Sequence, residues 1–430
     1  MGERRAYLPP VTEASVPHSE ILIVGAGPAG VAAAWQLAKA GQPCTLVDKS
    51  TFPRDKICGD ALSGKAITLL RRFDDQAVRR LVARQRAEPI WGIRFVAPNG
   101  VPIEVPFQDP LPDEREDAHG FVCRRVDFDD FLISEIRRRE EVDLRLGVDV
   151  AHIAREGDGW RVRSRDGAFE HTCRLLLVAD GAQSAFARRE AGLDKRPAHN
   201  AAAVRAYMSG VTGFHPDGYI ELHFLREYLP GYFWAFPLPG GESNVGLGMR
   251  TDKLKERGLS LREEMRRIID GHPLLGERFA GAELQQKIVG YPLPLGSKLR
   301  RASGEGYLVL GDAGHMIDPL TGEGIGNGMY AGVIAADQAV ASLAANDLSA
   351  EGLAAYDVRI KRVLGREMDI SYRIQTSLRY PFIINGLANF IHGRPHLRRL
   401  LSRMYTDLEL RGRVARPSFW LQAAMGRSFS

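Results

Sequence analysis

Cys58 stands two residues after Lys56, and a thiol beside an ammonium group is a candidate for acid–base chemistry. A nearby lysine lowers a thiol's pKa and raises its thiolate fraction. The competing reading is a cysteine packed as a small hydrophobe. Tyr232, Trp234 and Phe236 alternate along Tyr232-Phe-Trp234-Ala-Phe236-Pro237, so a strand would point all three to one face. That face is either core or the wall of an apolar channel, and such a channel suits a long uncharged hydrocarbon chain. Metal chemistry has no comparable constellation. The four cysteines are Cys44, Cys58, Cys123 and Cys173; none forms a CxxC pair, so zinc and dithiol redox chemistry find no support.

Two glycine-rich segments lie at opposite ends of the chain. The first is Ile21-Leu-Ile-Val-Gly25-Ala-Gly27-Pro28-Ala29-Gly30. It has the shape of a strand, a tight turn and a helix start, which cradles a pyrophosphate. Gly25 makes the turn, Gly27 lets phosphates approach and Gly30 lets helix and strand pack. Asp48 follows 18 residues after Gly30 at a strand end, the place of an acid that binds a ribose hydroxyl. An acid there favours an unphosphorylated ribose. The second segment is Tyr307-Leu-Val-Leu-Gly311-Asp312-Ala-Gly314, continuing through Pro319-Leu-Thr-Gly322-Glu323-Gly324-Ile325-Gly326. Each glycine there costs a helix about 1 kcal/mol relative to alanine, and close approach to a ligand offsets such a cost. Backbone N–H groups at the start of the following helix would face a negatively polarised ring. Between them, Leu175 to Gly181 is an apolar strand ending in Asp180-Gly181. A chain with all of these most simply holds one long cofactor, and FAD leads.

The elements that must position these residues can be read in order. Residues 20–25 and 45–48 are strands flanking a helix at 28–40, a βαβ unit closed by Gly41. Residues 93–97 and 101–105 form a hairpin on Asn99-Gly100. Residues 125–139 are a helix with Phe128, Leu132 and Ile136 on one face. Strands follow at 143–150, at 160–165 with a partner across Asp166-Gly167, and at 175–180. Residues 200–290 have the alternation of an antiparallel sheet, with a helix near 260–271. After the strand at 307–314, helices run over 323–345 and 350–380, and the remainder is helical and basic. The expected architecture is α/β: a Rossmann-like FAD-binding domain with an inserted antiparallel β-sheet substrate domain and C-terminal helices. Its expected parts are a loose tail (1–19), a discontinuous cofactor domain (20–88, 108–199 and 291–345), a substrate domain (89–107 and 200–290) and a C-terminal helical region (346–430).

Composition narrows the class. The 430 residues are 44% hydrophobic and 26% charged, with net charge +5, an ordinary globular profile. The basic residues form no nucleic-acid module, so nucleic-acid binding has little support. The apolar run at 21–38 has the length of a membrane span, but Gly25, Gly27, Pro28 and Gly30 punctuate it as strand, turn and helix. Few cysteines and no apolar leader favour a reducing cytoplasm. Residues 378–420 mix Tyr380, Phe382, Ile383, Ile384, Phe390 and Ile391 with Arg394, Arg398, Arg399 and Arg403. They read as an amphipathic bundle packed on the core, or as a peripheral membrane surface on the inner face with arginines toward anionic headgroups.

Gly25–Gly30, Asp180-Gly181 and Gly311-Asp312 together resemble the three FAD signatures of the para-hydroxybenzoate-hydroxylase-like flavoproteins. Phe52-Pro-Arg-Asp-Lys56-Ile-Cys58-Gly59-Asp60 resembles the Lys-x-Cys-Gly-Asp segment of the geranylgeranyl reductase family. Tyr232 to Pro237, continuing to Asn244-Val-Gly246-Leu-Gly248, resembles that family's aromatic signature. The resemblance covers about residues 20–345 and implies site roles. Gly25, Gly27, Pro28, Ala29, Gly30, Asp48 and Lys49 would hold the ADP half of FAD, with Val150 by the adenine. Lys56, Cys58, Gly59, Arg125, Asp180, Gly181, Gly311 and Asp312 would border the rest of the cofactor, and Pro319, Gly322, Glu323, Gly324 and Ile325 its isoalloxazine ring. Cys58, Tyr232 and Trp234 would stand nearest the chemistry, with Phe236, Pro237 and Gly246 on the substrate side. Asp48 stands where many relatives carry Glu. The implied activity is saturation of carbon–carbon double bonds in an isoprenoid chain or prenylated lipid. NADPH, NADH or reduced ferredoxin would be the electron donor. The alternatives are a flavin monooxygenase, a halogenase (disfavoured, since no Trp-x-Trp-x-Ile-Pro segment is present) and a non-catalytic prenyl-lipid escort protein.

Overall fold

Five parallel strands deliver their carboxyl ends to one edge, the outermost on one side being Val142–Leu146 beside Cys44–Asp48, and this decides where the site lies. In a computed structural model, which describes residues 16–108, 112, 114–394 and 397, the central strand His18–Val24 pairs on one side with Cys44–Asp48 and on the other with Glu170–Val178. Tyr307–Val309 continues the sheet beyond Glu170–Val178. Val24 is in register with Val47 and Val178, and Val178 with Val309. Gly25, Asp48, Asp180 and Gly311 therefore emerge side by side, at the edge where open α/β sheets bind ligands. Ile21, Leu22, Ile23 and Leu175 to Val178 are buried on both faces of the sheet, as parallel strands are.

The helix Pro28–Lys39 follows the first turn and packs on the long helix Ile325–Ala344. Small residues make the contact: a Cβ on Gly332 would lie 2.3 Å from the Ala29 carbonyl oxygen. Close packing of these two helices puts the starts of both beside the same strand ends.

A second sheet orders Glu283–Leu284, Asn200–Ser209, Glu242–Arg250, Tyr232–Pro237, Ile220–His223, Gly92–Val96 and Pro102–Pro106, with Val289–Pro294 also paired to Asn200–Ser209. Residues 89–107 and 200–290 thus meet in one sheet. The hairpin expected at Asn99-Gly100 forms, with Gly100 at φ +81°. The sheet is not wholly antiparallel, however. Ile220–His223 runs parallel to Gly92–Val96, because the second stretch enters beside the hairpin from the opposite end.

Other expectations also change. The first strand begins at His18, inside the supposed tail. The strand expected at 143–150 is two strands, Val142–Leu146 and Val150–Glu156. The separate strands expected on either side of 175 are one, Glu170–Val178, whose first half pairs with Gly159–Ser164 and whose second half enters the parallel sheet. The helix expected over 350–380 is Ala355–Ile360 and Arg366–Ser377, joined through a wider π turn at Lys361–Gly365. Pro381, with its fixed φ, then starts Pro381–Ile391. Leu378, Ile384, Ala388 and Ile391 pack on the second sheet with Ile93, Ile103, Leu222 and Trp234. Among the described residues no helix is long and apolar enough to cross a membrane.

Candidate active site

A cavity of about 1680 Å³ starts at the strand ends of the first sheet and runs under the second sheet to the C-terminal helices. Pockets for one small ligand are typically about 300–1,000 Å³, so this one has room for two. Its lining includes every residue expected around a cofactor except Gly30: Gly25, Gly27, Pro28, Ala29, Asp48, Lys49, Lys56, Cys58, Gly59, Arg125, Val150, Asp180, Gly181, Gly311, Asp312, Pro319, Gly322, Glu323, Gly324 and Ile325. Tyr232, Trp234 and Phe236 line its apolar half.

The first turn fits a pyrophosphate. Gly25 holds φ +105° and packs so tightly that a Cβ would lie 2.3 Å from the Ala179 carbonyl oxygen. Gly30 is set back from the cavity, and its Cβ would lie 1.8 Å from the Gly25 carbonyl oxygen. Gly27 is different: a Cβ there would meet nothing closer than Arg54 Nη2 at 4.0 Å. The helix Pro28–Lys39 starts at Gly27 with no side-chain cap and no acid in its first turn. Its orphan N–H groups and the positive end of its dipole thus face open space. Asp48 braces this turn: Oδ2 accepts from Ala26 N at 2.7 Å and Oδ1 from Ser50 N at 2.8 Å. Each oxygen keeps a lone pair for a further donor.

The second turn is built on Asp318, 3% exposed. Its Oδ1 accepts from Leu320 N, Thr321 N and Thr321 Oγ1 at 2.9, 2.8 and 2.9 Å. This presents Pro319 to Ile325 to the cavity ahead of the helix Ile325–Ala344, whose N-cap Gly324 offers no side chain. Glu323 Oε1 accepts from Gly326 N at 2.5 Å. Asp312 is 3.4 Å from Lys56 Nζ, which also lies 4.5 Å from the centroid of the Tyr291 ring.

Lys56 pairs with Asp312 and lies over Tyr291; it still lowers the Cys58 pKa as expected, but that pull is outweighed. Burial pushes the Cys58 thiol up; Arg125 and Lys56 pull it down and Asp60 pushes it further up, but burial wins. What surface Cys58 has opens into the cavity. Burial thus favours the thiol form of Cys58. Arg125, 2% exposed, turns its guanidinium to Asp129, with Nε and Nη2 at 2.7 and 2.6 Å from the carboxylate.

The polar edges of the aromatic strand are tied within the protein. Tyr232 Oη donates to the Thr321 carbonyl at 2.5 Å, and burial holds the phenol protonated. Trp234 Nε1 donates to Asn244 Oδ1 at 2.9 Å. The rings of Tyr232 and Trp234 meet edge-on with centroids 6.3 Å apart. Gly246 and Pro237 do not reach the cavity. Gly246 lies beneath Trp234, where a Cβ would be 2.1 Å from Cζ2, and so makes room for the indole. Beyond the aromatic strand, Ile93, Ile103 and Val105 face Ile374, Leu378 and Leu387 across the cavity, so this half is almost wholly apolar.

Sequence reasoning missed the polar group behind Cys58. Asp60 is fully buried and accepts from Tyr207 Oη and Asn244 Nδ2, both at 2.7 Å; Asn244 Nδ2 also donates to the Cys58 carbonyl at 2.9 Å. Asp60 and Asn244 stand inside the two quoted motifs, so their positions were visible, but their union across 184 residues was not. No group of His, Cys, Asp and Glu able to hold a metal occurs among the described residues. Tyr380, Phe382 and Ile383 stay exposed beside the apolar end, 42%, 72% and 37% accessible. Arg398, Arg399 and Arg403, expected to contribute there, lie outside the described residues, as does most of the expected N-terminal tail.

Comparison with known proteins matches residues 18–363 to the FAD binding domain family. A menaquinone reductase of Mycobacterium tuberculosis is 32% identical over 332 residues, covering 74% of this chain and 76% of the relative. Digeranylgeranylglycerophospholipid reductase 2 of Methanopyrus kandleri is 31% identical over 360 residues, covering 81% and 83%. A geranylgeranyl bacteriochlorophyll reductase-like protein of Thermoplasma acidophilum superposes with TM-score 0.76 at 24% identity, covering 88% of this chain and 93% of the other. A flavin-dependent brominase shares the fold at TM-score 0.71 and 20% identity, covering 90% and 93%.

Proposed function

The chain belongs to the FAD binding domain family and, within it, to the geranylgeranyl reductase-like FAD-dependent oxidoreductases, and from that premise we propose that it saturates carbon–carbon double bonds of an isoprenoid chain or prenylated lipid. The observation that carries this reading is the continuity of the cavity. The space beside the two glycine turns opens directly into an apolar passage between the aromatic strand and the C-terminal helices. A long hydrocarbon laid in that passage brings an alkene past Cys58 and Trp234 to the turn at 319–325.

In this reading the uncapped start of Pro28–Lys39 takes the pyrophosphate, Asp48 the ribose and the 319–325 turn the ring system. FAD held there would supply the hydride chemistry that alkene reduction needs. The chain's own part is to bind, align and keep water out, which an isolated alkene requires because it is a poor hydride acceptor. Tyr232, anchored on Thr321, fixes the wall to the ring turn. Trp234, fixed by Asn244, gives the chain a flat apolar surface. Cys58, kept protonated by burial, supplies the proton for the second carbon.

The electron donor in this reading is NADPH, NADH or a reduced ferredoxin, and the exposed Tyr380, Phe382 and Ile383 rest on a membrane surface from which the substrate enters. The test is incubation of the FAD-loaded, dithionite-reduced protein without oxygen with prenyl diphosphates, prenylated quinones and prenyl ether lipids. Mass analysis should show one class gaining pairs of hydrogens. Gain of oxygen in air, with no reduction in its absence, would support the monooxygenase instead.

A further inference from the structure

A second cavity, of about 480 Å³, lies between the turn that follows Asp180-Gly181 and the turn that follows Gly311-Asp312. Its polar lining is Gln183, Ser184, Arg188, Asp194, Lys195 and His315. Gln183 also borders the main cavity, so the two spaces share a wall. A pocket of this size takes one small ligand. Nothing in the reductase reading uses it.

His315 is the fixed point of this cavity. It is 7% exposed and holds φ +56°, a left-handed conformation that histidine tolerates better than most residues. Its Nδ1 lies 2.9 Å from Arg300 Nη2. A guanidinium only donates, so Nδ1 accepts and carries no proton. Burial, with the charges of Arg300 and Lys195, pulls the imidazole down to about 4 against the opposing pull of Asp312 and Asp194. The ring is therefore neutral, and its one proton is on Nε2. Nε2 has no hydrogen-bond partner among the described residues. His315 thus brings an unused N–H donor to the cavity wall. Arg300, which orients it, is itself held by the carbonyls of Gly192 and Asp194 at 3.0 and 2.8 Å.

The rest of the lining adds charge mostly of one sign. Partial burial pulls the Lys195 ammonium below its ordinary value, and the charge of Arg188 pulls it further. Arg196 bears on Arg300 in the same way. Among the described residues none of Arg188, Lys195, Arg196 or Arg300 forms an ion pair. Asp194 is the one carboxylate in the lining, and it offsets only one of the charges of Arg188 and Lys195. Like charges gathered around one recess repel each other, and an anion between them relieves that repulsion.

We propose that this cavity binds the phosphate group of a soluble ligand, with Arg188 and Lys195 supplying charge and His315 Nε2–H a fixed hydrogen bond. A phosphate presents acceptor oxygens on every side, which suits a wall of donors. The same chemistry is offered by free phosphate ions and by a nucleotide, and the test separates them. The inference stands apart from the reductase reading, because none of these residues lies on the apolar passage.

The test is calorimetric titration of FAD-loaded protein, in which the cofactor turn is already filled. The probes are inorganic phosphate, pyrophosphate, NADP+ and NAD+. Pyrophosphate should bind, and more weakly as salt is raised. Arg188→Glu and Lys195→Glu, both at exposed positions, should each weaken it at least about tenfold while FAD content stays unchanged. His315→Asn keeps a residue that tolerates the left-handed backbone but withdraws the donor, and should weaken it about tenfold. If His315→Asn does not fold, the two charge reversals still decide. NADP+ bound at least about tenfold more tightly than NAD+, and sensitive to the same reversals, supports a nucleotide phosphate. Pyrophosphate bound with both dinucleotides silent supports a free phosphate ion. No saturable binding of any probe, or binding that survives both charge reversals, overturns the proposal.

Discussion

Replacing Gly27 by alanine should separate cofactor binding from folding. The backbone at Gly27 has φ −74° and ψ 179°, extended values open to any residue. The added methyl would find no neighbour nearer than 4.0 Å, so nothing within the protein resists it. The folding cost is that of an alanine N-cap, about 1 kcal/mol. The methyl would occupy the face through which a pyrophosphate reaches the first-turn N–H groups. Each such charge-assisted hydrogen bond contributes about 1.5–3 kcal/mol. Loss of two removes about 3 kcal/mol or more, at least about a hundredfold in affinity. Titration of the apoprotein with FAD, followed by flavin fluorescence, should show that weakening, while urea unfolding of the apoprotein changes by no more than about 1 kcal/mol. Gly30→Ala supplies the contrast, because its methyl would lie 1.8 Å from a backbone oxygen and the fold itself should suffer. Wild-type FAD affinity in Gly27→Ala would refute the placement of the pyrophosphate.

Gly246→Ala should lower stability by about 1–3 kcal/mol in urea unfolding, since the new methyl meets Trp234 Cζ2 at 2.1 Å and the Val204 carbonyl at 2.4 Å; an unchanged midpoint would contradict the packing described. Trp234→Leu strands the buried Asn244 amide oxygen, and should cost about 1–3 kcal/mol while FAD still binds and turnover of the prenyl substrate collapses. Asp60 contributes a pH term of known sign: its folded pKa of about 6 lies above the ordinary 3.8, so the stability it adds is full below about pH 4 and is lost as pH rises through about 6. Relative to Asp60→Asn, wild-type stability should therefore fall by about 3 kcal/mol between pH 4 and 7.5, measured by urea unfolding at both. Phe382→Asp, at a 72% exposed position, should leave stability within about 0.5 kcal/mol but reduce co-sedimentation with anionic vesicles; undiminished sedimentation would remove that residue from the membrane contact.

The cofactor half was legible because its signals are local. A buried strand, a glycine turn and a helix occupy one short stretch, and the parallel register then sets Gly25, Asp48, Asp180 and Gly311 along one edge. The substrate half was legible only in part. Alternation revealed the face of Tyr232, Trp234 and Phe236, but not that Gly246 lies under the indole, a fact of cross-strand pairing with Trp234. Lys56 sits two residues from Cys58 in sequence, yet it pairs with Asp312, 256 residues away. Asp60 meets Tyr207 and Asn244 across 147 and 184 residues. Spacing along one chain carries no record of such unions. The parallel pairing of Ile220–His223 with Gly92–Val96 was hidden for the same reason, since a strand's own residues do not state its partner's direction.

The central claim is that a reduced cofactor and a hydrocarbon chain meet in one cavity. The most direct measurement is an anaerobic single turnover in which oxidised-flavin absorbance is followed while substrate and product are counted by mass. The structure predicts that flavin reoxidises without oxygen, with one double bond lost for each flavin. Flavin that stays reduced against every prenyl class, or a product that carries a new oxygen, would contradict it.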